Sequence, residues 1–243
     1  MVQRLAMWSG PRNISTAMMR AFEARGDCAV VDEPFYAAYL AISGAVHPMQ
    51  AQVLASQPQA PADVVAALTA PLPPGVALQY QKQMTHHVVF ELDERWLASL
   101  SHAFLIRDPA AMIASYLEKR GRVEPDDLGL ARQREIYDTI SRVNGTAPPV
   151  VDASDVLQQP AAALARLCTA VAIPVSTTMT TWPAGRRATD GVWAPHWYGA
   201  VEASTGFKPY TPAPAPRLDT AAKRVLAACE PDYRYLYERR LSV

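Results

Sequence analysis

Chemistry on a phosphate or sulfate needs cations that grip oxygen, hydroxyls that donate to it and a base that takes a proton nearby. The first two meet in Ser9-Gly10-Pro11-Arg12-Asn13-Ile14-Ser15-Thr16. An apolar run, Leu5 to Trp8, ends just before this stretch, and an amphipathic run with Ile14, Met18 and Phe22 on one stripe follows it. The pattern predicts a strand, a tight loop and the first turn of a helix, with unbonded N–H groups and the positive helix end aimed at one point. Arg12 adds a planar, bidentate cation, and Ser15 and Thr16 add hydroxyl donors, so the point suits an oxyanion. A nucleoside triphosphatase loop, G-x-x-x-x-G-K-[ST], needs Gly and Lys where Ser15 and Thr16 stand and a hydroxyl where Ala17 stands. A magnesium-nucleotide kinase or hydrolase is therefore the second reading, and a non-catalytic nucleotide-binding protein the third.

Candidate bases lie at the ends of two more strand-like runs. Asp32 and Glu33 follow Cys28 to Val31, and His86 and His87 follow Val76 to Lys82. Adjacent residues on an extended backbone point opposite ways, so one of the two carboxylates, and at most one of the two imidazoles, is expected to face a site. Pro34 is expected to hold Glu33 extended. A fourth run, Ala103 to Ile106, leads into Arg107, and Ser115 lies eight residues on, within a helix that Asp108 caps, Pro109 opens and Gly121 closes.

These positions depend on the elements between them. Helices are expected over Asp93–Leu100, Leu128–Val143, Pro160–Val171 and Thr220–Leu241, the last with Pro231 as its weak point, and a fifth strand over Pro149–Asp152. Arg20 and Arg25 carry the charge that suits the C-terminal turn of the first helix. The strand, helix and strand from Leu5 to Val31 imply a parallel pair. Alternation throughout predicts an α/β fold, doubly wound, with a mostly parallel sheet flanked by helices. The 243 residues suffice for one domain, in which the Ala-, Pro- and Gln-rich segment 44–75 is expected to be a lid or acceptor loop with a helical patch around Asp63–Leu68.

Composition narrows the function. Lys plus Arg and Asp plus Glu are 23 each, which excludes a broad basic face for nucleic acid. Cys28, Cys168 and Cys229 are odd in number and far apart, unlike a disulfide or metal framework, and read as reduced core residues. No apolar run approaches the roughly 18 residues of a membrane span, and the N-terminus turns polar at Ser9, so the expected place is the cytoplasm.

The cradle around Arg12, paired with Arg107 and Ser115, resembles the cytosolic sulfotransferase superfamily, which has a P-loop-like α/β fold. That family binds 3′-phosphoadenosine 5′-phosphosulfate (PAPS) through a P-K-S-G-T-T-like loop after the first strand and holds the 3′-phosphate with an Arg and a Ser eight apart. Pro11, Arg12, Asn13, Ile14, Ser15 and Thr16 match the loop, with Arg for Lys and Ile14 in place of the usual Gly. Arg107 and Ser115 match the 3′-phosphate pair. Asp32-Glu33-Pro34 looks like the acidic position used as a base in bacterial trehalose-type sulfotransferases, and His86-His87 falls roughly where other members place a catalytic His. The resemblance implies sulfuryl transfer from PAPS to a hydroxyl or amine of a small acceptor, with no metal. Glu33 is then the expected base and a histidine its alternative; Arg12 meets the charge that grows at the transferred group. The family's late R-K-G element has no clear copy; Arg186, Arg187 or the stretch Trp197 to Phe207 are candidates to replace it. Trp and Tyr residues at 193–198 read as core rather than as a base-stacking platform.

Overall fold

The structure, a computed structural model, describes residues 3–211 and 215–242. Its frame is a five-stranded, all-parallel sheet of β1 (Gln3–Ser9), β2 (Cys28–Asp32), β3 (Leu78–Met84), β4 (Ser101–Ile106) and β5 (Val150–Asp152), in the order β2-β3-β1-β4-β5. The helices are α1 (Ser15–Glu23), α2 (Tyr36–Ser43), α3 (Gln50–Ser56), α4 (Pro61–Thr69), α5 (Glu94–Ala98), α6 (Pro109–Arg120), α7 (Pro125–Leu128), α8 (Leu130–Asn144), α9 (Ala153–Gln158), α10 (Pro160–Ala170), α11 (Ala194–Trp197), α12 (Gly199–Glu202) and α13 (Thr220–Tyr237). None of the described helices is long and apolar enough to cross a membrane.

Alternation along the central strand builds a core on each face. Leu5 and Met7 pack with Met18, Met19 and Phe22 of α1 and with Leu164 and Leu167 of α10. Ala6 and Trp8 face the other way, onto Trp96, Leu97, Ile136 and Ile140. Because both faces are covered, β1 and β4 carry apolar side chains on both sides, whereas β3 buries Gln79, Gln81 and Gln83 on one side, bonded to one another.

Strand order corrects one expectation. β1 and β2 are both parallel members of the sheet, but they are not neighbours: β3 lies between them and pairs with each. Apolar periodicity says which residues are buried but nothing about lateral order. The register has a direct consequence, since Ser9 stands level with Met84 and with Leu105. The loops after β1, β3 and β4 therefore leave the sheet at one height, beside the point where strand order reverses, which is where open α/β sheets form their crevice.

Segment 44–75 forms the expected helical patch as α4 and adds α3, and Val53, Val64 and Leu68 of these helices are buried. Arg4 closes the end of α4 by donating to the carbonyls of Leu68, Thr69 and Ala70. In α13, Pro231 sits inside a continuous helix rather than breaking it. The other expected helices form with small shifts at their ends, and α6 has the predicted Asp108 cap, with Oδ1 accepting from the Ala111 N–H at 2.9 Å.

Candidate active site

A cavity of about 400 Å³ opens at the C-terminal edge of the sheet. Pro11, Arg12, Asn13, Ile14, Ser15, Thr16, Arg107, Glu33, His86 and His87 all line it. Ser9, Gly10 and Ser115 do not, and lie behind the wall.

The cradle loop is tightly constrained. Arg12 has φ 57°, and Ile14, the residue before α1, has φ 16° and ψ 15°, so the turn uses backbone conformations that side chains disfavour. Neighbours hold it there. Arg107 donates to the Arg12 carbonyl, Asn13 Nδ2 donates to the Leu105 carbonyl at 2.7 Å, and Arg12 Nε donates to Ser115 Oγ at 2.9 Å. Arg12 thereby bridges the two loops that sequence reasoning paired. A Cβ at Gly10 would stand 2.6 Å from the Leu128 carbonyl oxygen, so glycine is required where the loop passes the α7–α8 turn. That same turn presses on the histidines, because a Cβ at Gly129, which has φ 66°, would stand 2.7 Å from the His86 backbone nitrogen.

Arg12 and Arg107 are half-buried, and among the described residues neither has a carboxylate within 4 Å. Burial lowers the pKa of both, and for Arg107 the nearby Arg12 charge adds to the effect. Two guanidinium groups without carboxylate partners, at the head of a helix whose first N–H groups are free among the described residues, are chemically suited to a multiply charged anion.

On the opposite wall the two carboxylates do not diverge as expected. Glu33 takes φ 42°, not the extended conformation expected before Pro34, and this twist turns its side chain to the same side as that of Asp32. Both meet Lys82, whose Nζ is 3.0 Å from Asp32 Oδ1, 2.8 Å from Glu33 Oε1 and 2.5 Å from the Tyr198 hydroxyl. Asp32 stands level with Lys82 across β2 and β3, so register makes the first of these contacts. Tyr198 donates to Asp32 at 2.8 Å and accepts from Trp193 Nε1 at 3.0 Å, while the Gly191 N–H donates to Asp32 Oδ2 at 3.0 Å. Of the two carboxylates, Glu33 lines the cavity. Burial raises its pKa despite the opposing pull of Lys82; burial works against the Lys82 ammonium, but the two carboxylates override it and raise its pKa.

Both histidines line the cavity, not one, because Thr85–His87 form a three-ten turn in which neighbouring side chains do not alternate. Among the described residues, their buried Nδ1 atoms have no hydrogen-bond partner. Burial holds His86 down to about 3 and His87 well below the ordinary imidazole value, and burial also lowers His47 to about 4. All three are neutral at pH 7. The nearest approach of an imidazole to Glu33 is His87 Nδ1 to Oε2, 3.9 Å.

A family described as Sulfotransferase domain matches residues 3–240. The chain belongs to the sulfotransferase superfamily. Its fold is similar to that of the sulfotransferase from Alicyclobacillus acidocaldarius, with a TM-score of 0.59 over 99% of this chain and 98% of that one at 10% identity. Two Arabidopsis thaliana proteins, Branched-chain-amino-acid aminotransferase-like protein 1 and protein 2, are 34% identical over 203 residues and 33% over 200. Each match covers 82% of this chain but only 36% and 35% of those proteins. The chain spans about a third of the length of these curated relatives, whose names describe the longer proteins. Sulfuryl transfer is the class of chemistry that the name of this family describes.

Within the sulfotransferase fold, the late part of the chain supplies a roof that sequence reasoning caught only in part. Trp197, Tyr198, Val201, Ser204, Phe207 and Lys208 line the cavity. Arg186 and Arg187 do not: Arg186 is exposed, and Arg187 pairs with Glu23 at 3.5 Å. Arg20, read as a cation for a helix end, is instead almost fully buried and fastens the roof by pairing with Asp190 at 2.6 Å. Trp193 is core, as expected, packed with Tyr36 and Tyr198. Reasoning from sequence missed Tyr36, His47, Tyr116 and Lys208 as lining residues. His47 was hidden in the Pro-rich segment, where it lies 2.8 Å from the Tyr36 hydroxyl, and nothing in the local pattern marks it.

Proposed function

We propose that this sulfotransferase transfers a sulfuryl group from PAPS to a hydroxyl or amine of a small acceptor. The observation that carries the reading is the pair of half-buried guanidinium groups, Arg12 and Arg107, facing one cavity without carboxylate partners. PAPS fits this wall, since its 5′-phosphosulfate and 3′-phosphate are two separated anions and the two arginines belong to two separate loops. The free N–H groups of the first turn of α1, the Arg12 guanidinium and the Ser15 and Thr16 hydroxyls would hold the phosphosulfate. Arg107 would hold the 3′-phosphate, while Ser115, bonded to Arg12, would brace the arginine at the phosphosulfate.

Bound PAPS supplies the sulfuryl group and a phosphate leaving group. This chain supplies orientation and electrostatics. Arg12 and the α1 N-terminus are fixed beforehand, so they meet charge growing on the departing oxygen without reorganising. Glu33 accepts the proton that the acceptor loses as its bond to sulfur forms. Its raised pKa brings it nearer to a working base than an ordinary exposed carboxylate, while the neutral, buried His86 and His87 line the acceptor side.

Calorimetry with adenosine 3′,5′-bisphosphate and with Mg-ATP tests the donor. Tight binding of the bisphosphate and weak binding of Mg-ATP is expected, and the reverse order would return the chain to the kinase or hydrolase class. Sulfate transfer from PAPS across a panel of alcohols and amines then tests catalysis, and binding without transfer to any acceptor would make the chain a nucleotide-binding protein.

A further inference from the structure

We propose that Lys82 is a positioning residue that, with Tyr198, pins one oxygen of Glu33 and leaves the other as the proton acceptor, tuning the affinity of that oxygen for a proton. The inference rests on the reading of Glu33 as the base. Three observations lead to it.

The donors are fully used. An ammonium has three hydrogens, and those of Lys82 go to Asp32, Glu33 Oε1 and the Tyr198 oxygen, so none remains for a ligand although Lys82 borders the cavity. Tyr198 is saturated as well: its oxygen accepts from Lys82 and Trp193, and its one hydrogen is shared between Asp32 at 2.8 Å and Glu33 Oε1 at 3.3 Å. Glu33 Oε1 is thereby fixed, whereas among the described residues Oε2 has only the 3.9 Å approach of His87.

The charges do not cancel. Two carboxylates around one ammonium leave a net charge of minus one in a place where Asp32 is 6% exposed, Glu33 9% and Lys82 1%. A proton taken up at Oε2 removes that excess charge, which a low-dielectric setting favours. Without Lys82 the excess would double, and Glu33 would hold a proton too firmly to start as a base. Without Asp32 the excess would vanish, and Glu33 would take a proton less readily.

The cluster is also tied to the roof. Tyr198, Trp193 and Gly191 all lie in the segment that covers the cavity, and each contacts Asp32 directly or through the Tyr198 hydroxyl. Seating the roof is what completes the environment of the base.

Carbon-13 NMR titration of glutamate-labelled protein reads the Glu33 carboxyl directly, its resonance assigned by its loss in Glu33→Gln. Lys82→Met is expected to move the Glu33 midpoint upward, and Lys82→Met with Asp32→Asn, which restores the net charge of minus one, to bring it back toward the parent. Asp32→Asn alone, which keeps the cation, is expected to move it downward and serves if Lys82→Met does not fold. Tyr198→Phe is expected to move it upward, by less than Lys82→Met. A midpoint that stays in place in folded Asp32→Asn and Tyr198→Phe would overturn the inference. Failure of the underlying reading shows elsewhere: if Glu33→Gln keeps its turnover, Glu33 is not the base, whatever its midpoint does.

Discussion

Replacing Arg107 by alanine gives the most discriminating test of the donor site, because the side chain has two separable jobs. It donates to the Arg12 carbonyl and so helps hold a loop residue at φ 57°, and it is the unpaired cation facing the cavity from the second loop. The first job is shared by every ligand that uses the cradle. Losing one hydrogen bond there costs about 1 kcal/mol, felt equally by adenosine 5′-phosphate and adenosine 3′,5′-bisphosphate. The proposed second job concerns the 3′-phosphate alone. A charge-assisted contact to a phosphate contributes about 1.5–3 kcal/mol, so the bisphosphate should weaken by roughly ten- to a hundred-and-fifty-fold more than the monophosphate. Calorimetric titration of both nucleotides against both proteins gives the difference directly. Arg107→Lys should fall between, since it keeps the charge and loses the planar fork. Equal losses for the two nucleotides would refute the 3′-phosphate role and leave Arg107 only as a brace for the loop.

Four further outcomes follow from the same geometry. Arg12→Ala should depress turnover more than nucleotide affinity, because its proposed partner is charge that grows during transfer; a rise in the nucleotide KM alone would make it a binding residue. Glu33→Gln should abolish most turnover and leave adenosine 3′,5′-bisphosphate binding nearly intact, while His86→Asn and His87→Asn keep most of theirs; the opposite pattern hands the role to a histidine. Gly10→Ala should lower stability by about 1–3 kcal/mol in urea unfolding, since its methyl group meets the Leu128 carbonyl, and an unchanged midpoint would contradict the close approach. His86 titrates at about 3 when folded against 6.5 ordinarily, so the unfolded chain binds the extra proton and stability should fall as pH drops below about 6.5. His86→Asn should flatten that slope, and an equally steep slope in the variant would place the acid sensitivity elsewhere.

Much of this was legible in sequence because it depends on local rules. Alternation and punctuation located the five strands and the α6 cap, whereas the pairing of Arg107 with Ser115 came from the family resemblance, and of the two only Arg107 lines the cavity. What escaped depends on partners far away in the chain. Nothing local says that β3 inserts between β1 and β2, and so nothing says that Lys82 faces Asp32. The rule that a residue before proline stays extended failed at Glu33, where Lys82 and Tyr198 gather both carboxylates on one side. Alternation failed at His86 and His87 because the chain had already left the strand. His47 and Lys208 sit in segments with no periodicity to read, and only the folded cavity brings them to the wall.

The turn between α7 and α8 limits how this site can be redesigned. Its Leu128 carbonyl abuts Gly10 of the cradle, and the next residue, Gly129, abuts the backbone of His86. One short piece of main chain is thus a common gauge block for the anion loop and the imidazole turn. Reshaping residues 85–87 to admit a different acceptor would push on Gly129, and the displacement would pass through Leu128 into the loop proposed to grip the donor. Altered acceptor choice is better sought at Tyr36, His47 or Trp197, which border the cavity from elements outside that turn.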